Sequence, residues 1–90
     1  MKVKYCIVFS SGRNDLRLYK EVNLKYLPRE DDFVKIEEIE DDCGNCIVYN
    51  IMHDVKGNVT IYLQAMADFD NGFPHLKEIA SKLDNTWIEE

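Results

Sequence analysis

The chain lacks any apolar run approaching the roughly 20 residues that a membrane-spanning helix requires. Its longest, Tyr5 to Phe9 and Cys46 to Tyr49, are the size of strands, so no membrane partner is expected. Two lysines precede the first run in the manner of a secretory leader. The apolar part is too short and alternates with polar residues, and a first strand fits it better. Cysteine is scarce and odd in number, Cys6, Cys43 and Cys46, which suits a reducing cytoplasm and not a disulfide scaffold. Positive charge is in deficit, with 11 basic against 17 acidic residues and a net charge of −6. Such a surface repels a phosphate backbone, so nucleic acid is not an expected partner. Also missing are a G-x-S-x-G elbow, a P-loop and a Rossmann glycine pattern, and with them the usual marks of an enzyme or a cofactor site. There is no internal repeat, low-complexity tract or interdomain linker.

What is present is enough apolar material for one core. Hydrophobic residues make up 46% of the chain, with five Tyr, four Phe and one Trp, and 90 residues suit a single domain over positions 1–90. A chain of this length buries only about two thirds of its unfolded surface, so its stability is modest and oligomerisation would add to it.

The clearest pattern lies between Asp41 and Gln64, where two apolar runs flank a polar turn at Lys56, Gly57 and Asn58 and predict a β-hairpin. In the second arm Val59, Ile61, Leu63 and Ala65 alternate with Thr60, Tyr62 and Gln64, the period of a strand with one buried face. In the first arm Cys46, Val48, Ile51 and His53 share a face only if a bulge near Tyr49 and Asn50 absorbs one residue.

A first strand over about Lys2 to Ser10 buries Val3, Tyr5, Ile7 and Phe9. Ser10 to Asp15 forms a turn-rich loop, and an antiparallel second strand follows from Leu16 to about Tyr26. Lys20 interrupts its apolar stripe, which predicts a bent or split strand. Leu27 and Pro28 end it, because proline has no N–H to give a ladder. After a tight acidic turn over Arg29 to Asp32, a third strand is expected from Phe33 to Ile39 with Val34 and Ile36 inward. Near the C-terminus Pro74 suits the first turn of a helix. Leu76, Ile79, Ala80, Leu83 and Trp87 then form an amphipathic stripe that must lie on the sheet. Asp84 to Thr86 ends the helix, and Trp87 and Ile88 return as a short extended edge.

The run VNLKYLPREDDFVKIEE, followed by IVYNIMHDVKGNVTIYL, resembles a pattern in short uncharacterised proteins of bacteria and their mobile elements, of the phage or integron-cassette type. In these a strand ends in L-P-R, two residues precede an Asp and an apolar strand, and a later strand ends in a V-x-H-D-like segment. The matching positions are Leu27, Pro28, Arg29 and Asp32, then Ile51, His53 and Asp54, within a span of about Val22 to Leu63. The glycine that usually precedes the Asp is Asp31 here. The resemblance implies a small barrel-like or strongly bent sheet and carries no activity.

Three groups of residues invite a chemical reading. Cys43 and Cys46 have the C-x-x-C spacing of zinc and dithiol sites. A zinc site would need Cys6, His53 or His75 as further ligands, and a redox pair normally sits at a helix N-terminus, whereas this one precedes a strand. A turn, with Cys46 packed as a small hydrophobe, is preferred. His53 and Asp54 are neighbours, but adjacent strand residues point to opposite faces and make no acid–base pair. Glu30, Asp31, Asp32, Glu37, Glu38, Glu40, Asp41 and Asp42 crowd together without the apolar pocket that raises a catalytic carboxylate's pKa, and a solvated surface is preferred.

The expected fold is therefore α+β: a five-stranded antiparallel sheet, strongly curved or barrel-like, with one C-terminal helix packed on it. The expected function is a non-catalytic binding or assembly module without metal or cofactor. Self-association into a homodimer is its first partner, and a separate protein or a small molecule the alternative. Tyr19, Tyr49 and Tyr62, on nominally outward faces, are the interface candidates. The competing readings are an acidic inhibitor of a basic or nucleic-acid-binding protein, and a thiol or zinc site at Cys43 and Cys46.

Overall fold

A computed structural model describes residues 2–11, 14–39, 41, 46–65 and 77–89. Six strands run in the order β1 (Lys2–Ser11), β2 (Asn14–Asn23), β3 (Phe33–Val34), β4 (Cys46–His53), β5 (Val59–Gln64) and β6 (Ile88–Glu89), with a 3-10 turn at Glu37–Ile39. They form one sheet in the order β3-β4-β5-β1-β2-β6. Two antiparallel hairpins, β1–β2 and β4–β5, are joined side by side through a parallel pairing of β1 with β5, Tyr5 opposite Ile61 and Ile7 opposite Leu63.

The expectation of a five-stranded, antiparallel, strongly curved or barrel-like sheet is corrected on three counts. Among the described residues the sheet has six strands, it is mixed, and it is neither closed nor curled. Closure needs the two edge strands to pair, and here β3 and β6, two residues each, pair with β4 and β2 and not with each other. Short edges of this kind also limit pairing with other chains along the edge. Nor is β2 split at Lys20, since it stays in register with β1 from Asn14 to Asn23. Lys20 sits instead at the margin of the core, its ammonium 5.7 Å from the centre of the Trp87 ring and 3.9 Å from an Asp84 carboxylate oxygen.

The core lies on one face. Val3, Tyr5, Ile7 and Phe9 of β1 lie beside Leu16 and Leu18 of β2, and Val59, Ile61 and Leu63 of β5 lie beside Val48 and Cys46 of β4. The pairing of β4 with β5 slips by one residue between Val48 and Asn50. This is the bulge required to bring Cys46, Val48 and Ile51 to one side. Covering this face are Ile36 and Ile39 from the 3-10 segment, and Ile79, Ala80, Leu83 and Trp87 from the C-terminal segment, where residues 77–80 are helical. Leu76, Pro74 and His75 lie outside the described residues. The third strand is shorter than expected because Ile36 and Ile39, three apart, share one side of a 3-10 turn and both reach the core that way.

Two turns fix the register. The β4–β5 turn is built on Asp54, whose carboxylate accepts hydrogen bonds from the backbone N–H of Lys56 (2.8 Å) and Asn58 (3.0 Å) and from the Asn58 amide (3.0 Å). The bonds from Asn58, the side-chain one foremost, hold the Asp54 carboxyl below its ordinary pKa. Gly57 takes a φ of 85° there, open to glycine at little strain.

The turn at Arg29–Asp32 is closed by the Asp32 N–H on the Arg29 carbonyl (3.1 Å) and by the Arg29 N–H on the Asp32 carboxylate (2.7 Å). It docks on the bulge: the Asp31 N–H donates to the Val48 carbonyl (2.8 Å), and the Val48 N–H to the Asp32 carbonyl (2.9 Å). Asp31 has a φ of 71°, the value at the third position of a type II turn that favours glycine. Asp31 thus holds a backbone conformation that glycine adopts at little cost. Asp31→Gly should raise stability by about 0.5 to 1 kcal/mol, because relief of a left-handed conformation worth about 1 to 2 kcal/mol exceeds the added chain entropy. An unchanged or lower denaturation midpoint would show that Asp31 adopts this conformation without strain.

Candidate functional site

The face opposite the core is assembled by the same pairings. Directly opposed residues on neighbouring strands project to the same side, so the register arranges this face in rows. The middle row runs Asn50, Tyr62, Cys6, Tyr19 and Ile88 from β4 to β6. On one side of it lies the row Phe33, Ile47, Gln64, Val8 and Arg17. On the other side lies Met52, Thr60, Lys4 and Glu21. Tyr49, beside the bulge, adds its ring to the middle row, 5.9 Å from the ring of Tyr62 and tilted by 50°.

Apolar and aromatic side chains dominate this face. Of the apolar residues of the described loops, Leu24, Leu27 and Ile36 pack on the core cluster, and Tyr26 and Val55 are exposed. Cys6 (3% exposed) and Val8 (7%) are nevertheless buried. Phe33 (68%), Met52 (52%) and Tyr49 (44%) remain in solvent. Desolvation raises the pKa of the Tyr49 hydroxyl, with the Cys6 side chain adding to the effect and Arg17 opposing it. Tyr49 therefore stays neutral and offers an apolar ring with a polar tip. The Lys4 ammonium lies 4.2 Å from the centre of the Tyr19 ring, in cation–π geometry.

The charge on this face differs from that of the whole chain. Lys2, Lys4 and Arg17 stand against Asp15 and Glu21, with a Lys2–Glu21 ion pair of 3.2 Å at its margin. The acidic excess lies elsewhere, on Glu30, Asp31, Asp32, Glu37, Glu38 and Asp41, all exposed. Glu40 and Asp42 lie outside the described residues.

All three tyrosines singled out from the sequence, Tyr19, Tyr49 and Tyr62, fall on this one face. Phe33, Ile47, Met52 and Ile88 were missed as members of it. The available signal was the uninterrupted apolar run Tyr5–Phe9, which marks a strand buried on both sides, as β1 is.

The sulfur ligands and His53 are not brought together. Cys46 is fully buried in the core, Cys6 faces the opposite side of the sheet, and His53 is exposed at the far end of β4. Cys43 lies outside the described residues. Among the described residues no three metal-ligating side chains cluster, and no helix is long and apolar enough to cross a membrane. A cleft between the C-terminal segment and β2 is lined by Leu16, Leu18, Ala80 and Trp87. Its polar members Lys77, Ser81 and Glu89 are exposed at the rim and do not converge inside it.

Comparison of the chain with protein-family models, curated proteins and solved structures finds no match.

Proposed function

We propose that this chain is a non-catalytic binding and assembly module whose working surface is the open face of its sheet, and that its first partner is a second copy of itself. The observation that carries this reading is the gathering of Tyr19, Tyr49 and Tyr62 with Phe33, Ile47 and Met52 on the face opposite the core, where Phe33, Tyr49 and Met52 are exposed. A layered domain normally buries both faces of a sheet whose central strand is apolar on both sides. Tyr and Phe are also the residues enriched where proteins meet.

Charge favours a like partner over a basic one. A chain of net charge −6 repels its own copy over most orientations, and the open face is where the acidic excess is absent. Strand spacings of about 4.8 Å and rises of about 3.3 Å per residue give roughly 550 Å² of sheet per copy over five spacings and seven residues. That is about 1,100 Å² for a pair, close to the lower limit for a specific interface. Association should accordingly be reversible on dilution.

Sedimentation over a concentration series is the test. Dimers are expected to dissociate on dilution, and Tyr62→Asp should weaken them at least about tenfold while leaving the circular dichroism unchanged, since truncating a central aromatic anchor is worth about 2 kcal/mol or more. A strict monomer up to about 1 mM would defeat the proposal, because a dissociation constant above that level corresponds to only about 4 kcal/mol.

A further inference from the structure

We infer that the two copies stack open face to open face about a twofold axis that crosses the strands along the row Tyr62–Cys6–Tyr19. The inference rests on the self-association proposed above and specifies its geometry. Two face-to-face sheets related by a twofold must place the axis in the plane between them. It can run along the strands or across them, and the side-chain rows distinguish the two.

With the axis across the strands on the middle row, each strand lies antiparallel over its own copy, and the row on one side of the axis meets the row on the other. Arg17 then faces Glu21 of the second copy, and Glu21 faces its Arg17. Ile47 meets Met52, Gln64 meets Thr60, and Val8 lies against the methylene stem of Lys4. Opposite charges, apolar pairs and amide–hydroxyl pairs each find their own kind of partner, twice over, as an isologous interface demands. On the axis Tyr19 and Tyr62 meet their own copies, aromatic on aromatic.

With the axis along β1 the matching fails. Lys4 would stack on Lys4 of the second copy and Val8 on Val8, while Arg17 would face Gln64 and Glu21 would face Thr60, so neither charge meets an opposite charge on the second copy and two ammonium groups come together. Like charges placed opposite one another are strongly disfavoured. Facing sheets cross at about 30°, which shifts contacts near the margins most. Arg17 and Glu21, one strand from Cys6 and two residues either side of Tyr19, are long enough to absorb that shift.

The test is a charge exchange followed by sedimentation. Arg17→Glu and Glu21→Arg are each expected to weaken the dimer about tenfold, because each places two like-charged pairs across the axis. The variant carrying both should recover the native dissociation constant. Glu21→Arg is the decisive single change: it brings the net charge nearer zero, so non-specific repulsion falls and any account based on net charge expects tighter association. Mixing the two single variants should form a heterodimer of near-native affinity, since Arg17→Glu leaves two carboxylates on one copy and Glu21→Arg leaves two guanidinium groups on the other, each facing its opposite across the axis. Both positions are exposed, and the mixed pair provides the reading should the double variant fold poorly. If the native protein dimerises but Glu21→Arg strengthens it, or neither exchange restores what the single changes remove, this axis is wrong and self-association stands. If the native chain is monomeric, the parent proposal falls, and the axis with it.

Discussion

Ile61→Ala is expected to lower folding stability by about 2 to 5 kcal/mol, the range for removing a large buried aliphatic side chain and leaving a cavity. Ile61 is fully buried, and the register sets it between Tyr5 of β1 and Ile51 of β4. Neither neighbour can collapse easily into the space: Tyr5 belongs to the central parallel pair, and Ile51 is held by the bulge. The alternating partners give the control. Thr60 is half-buried and Gln64 exposed, both on the open face, and Gln64→Ala should change stability by less than about 0.5 kcal/mol when measured at a concentration where the chain is dilute. A one-residue slip of β5 would exchange these faces. A loss below about 0.5 kcal/mol for Ile61→Ala in denaturant titration would therefore mean that β5 presents its other side to the core.

The parts of the fold legible in the sequence are those specified by neighbours along the chain. The alternation of Val59, Ile61 and Leu63, the turn at Lys56, Gly57 and Asn58, and the odd spacing of Val48 and Ile51 that demands a bulge are all local, and each is present as read; the part Asp54 plays in closing that turn was not read. The short return of the chain as β6 after Asp84 was likewise marked by a local turn, in which the Asp84 carboxylate accepts a bond from the Thr86 N–H (2.9 Å). The parallel pairing of β1 with β5 was not legible, because it joins two hairpins far apart in the chain and nothing local distinguishes parallel from antiparallel partners. The implied barrel failed for a related reason. Whether edges meet depends on strand order, and the order puts the two shortest strands at opposite edges.

The open face was legible only in fragments. Tyr19, Tyr49 and Tyr62 stand out individually because outward aromatics are unusual in a strand with a buried opposite face. That they lie together follows only from the registers Cys6–Tyr19, Cys6–Tyr62 and Asn50–Tyr62. Ile47 and Phe33 joined the same surface through a pairing of only two residues, which no periodicity can reveal. The Arg17 and Glu21 placement has the same character. In the sequence they are two of many charges, and they become a symmetric pair about Tyr19 only once the strand is fixed as straight and unbroken.

Deleting the chain after Gly72 should abolish cooperative folding. The deletion removes Ile79, Ala80, Leu83 and Trp87, all buried against the core face of the sheet, together with the edge strand β6. Burial of Ile79, Leu83 and Trp87 alone is worth about 1.5 to 3 kcal/mol each, or at least roughly 5 kcal/mol together. A chain of this length has a total stability of only about 5 to 13 kcal/mol. The loss also uncovers the core sides of Leu16 and Leu18, which lie beside Ala80 and Trp87, so the shortened chain should bind a hydrophobic dye and aggregate. Trp87→Ala supplies the graded version. It removes the ring against which the Lys20 ammonium rests at 5.7 Å and should lower stability by about 3 to 5 kcal/mol, while leaving Tyr19, Tyr62 and Arg17 in place on the opposite face. A truncated chain that remained folded and soluble, with an unchanged sedimentation profile, would mean that the C-terminal segment is an appendage and that the core face closes without it.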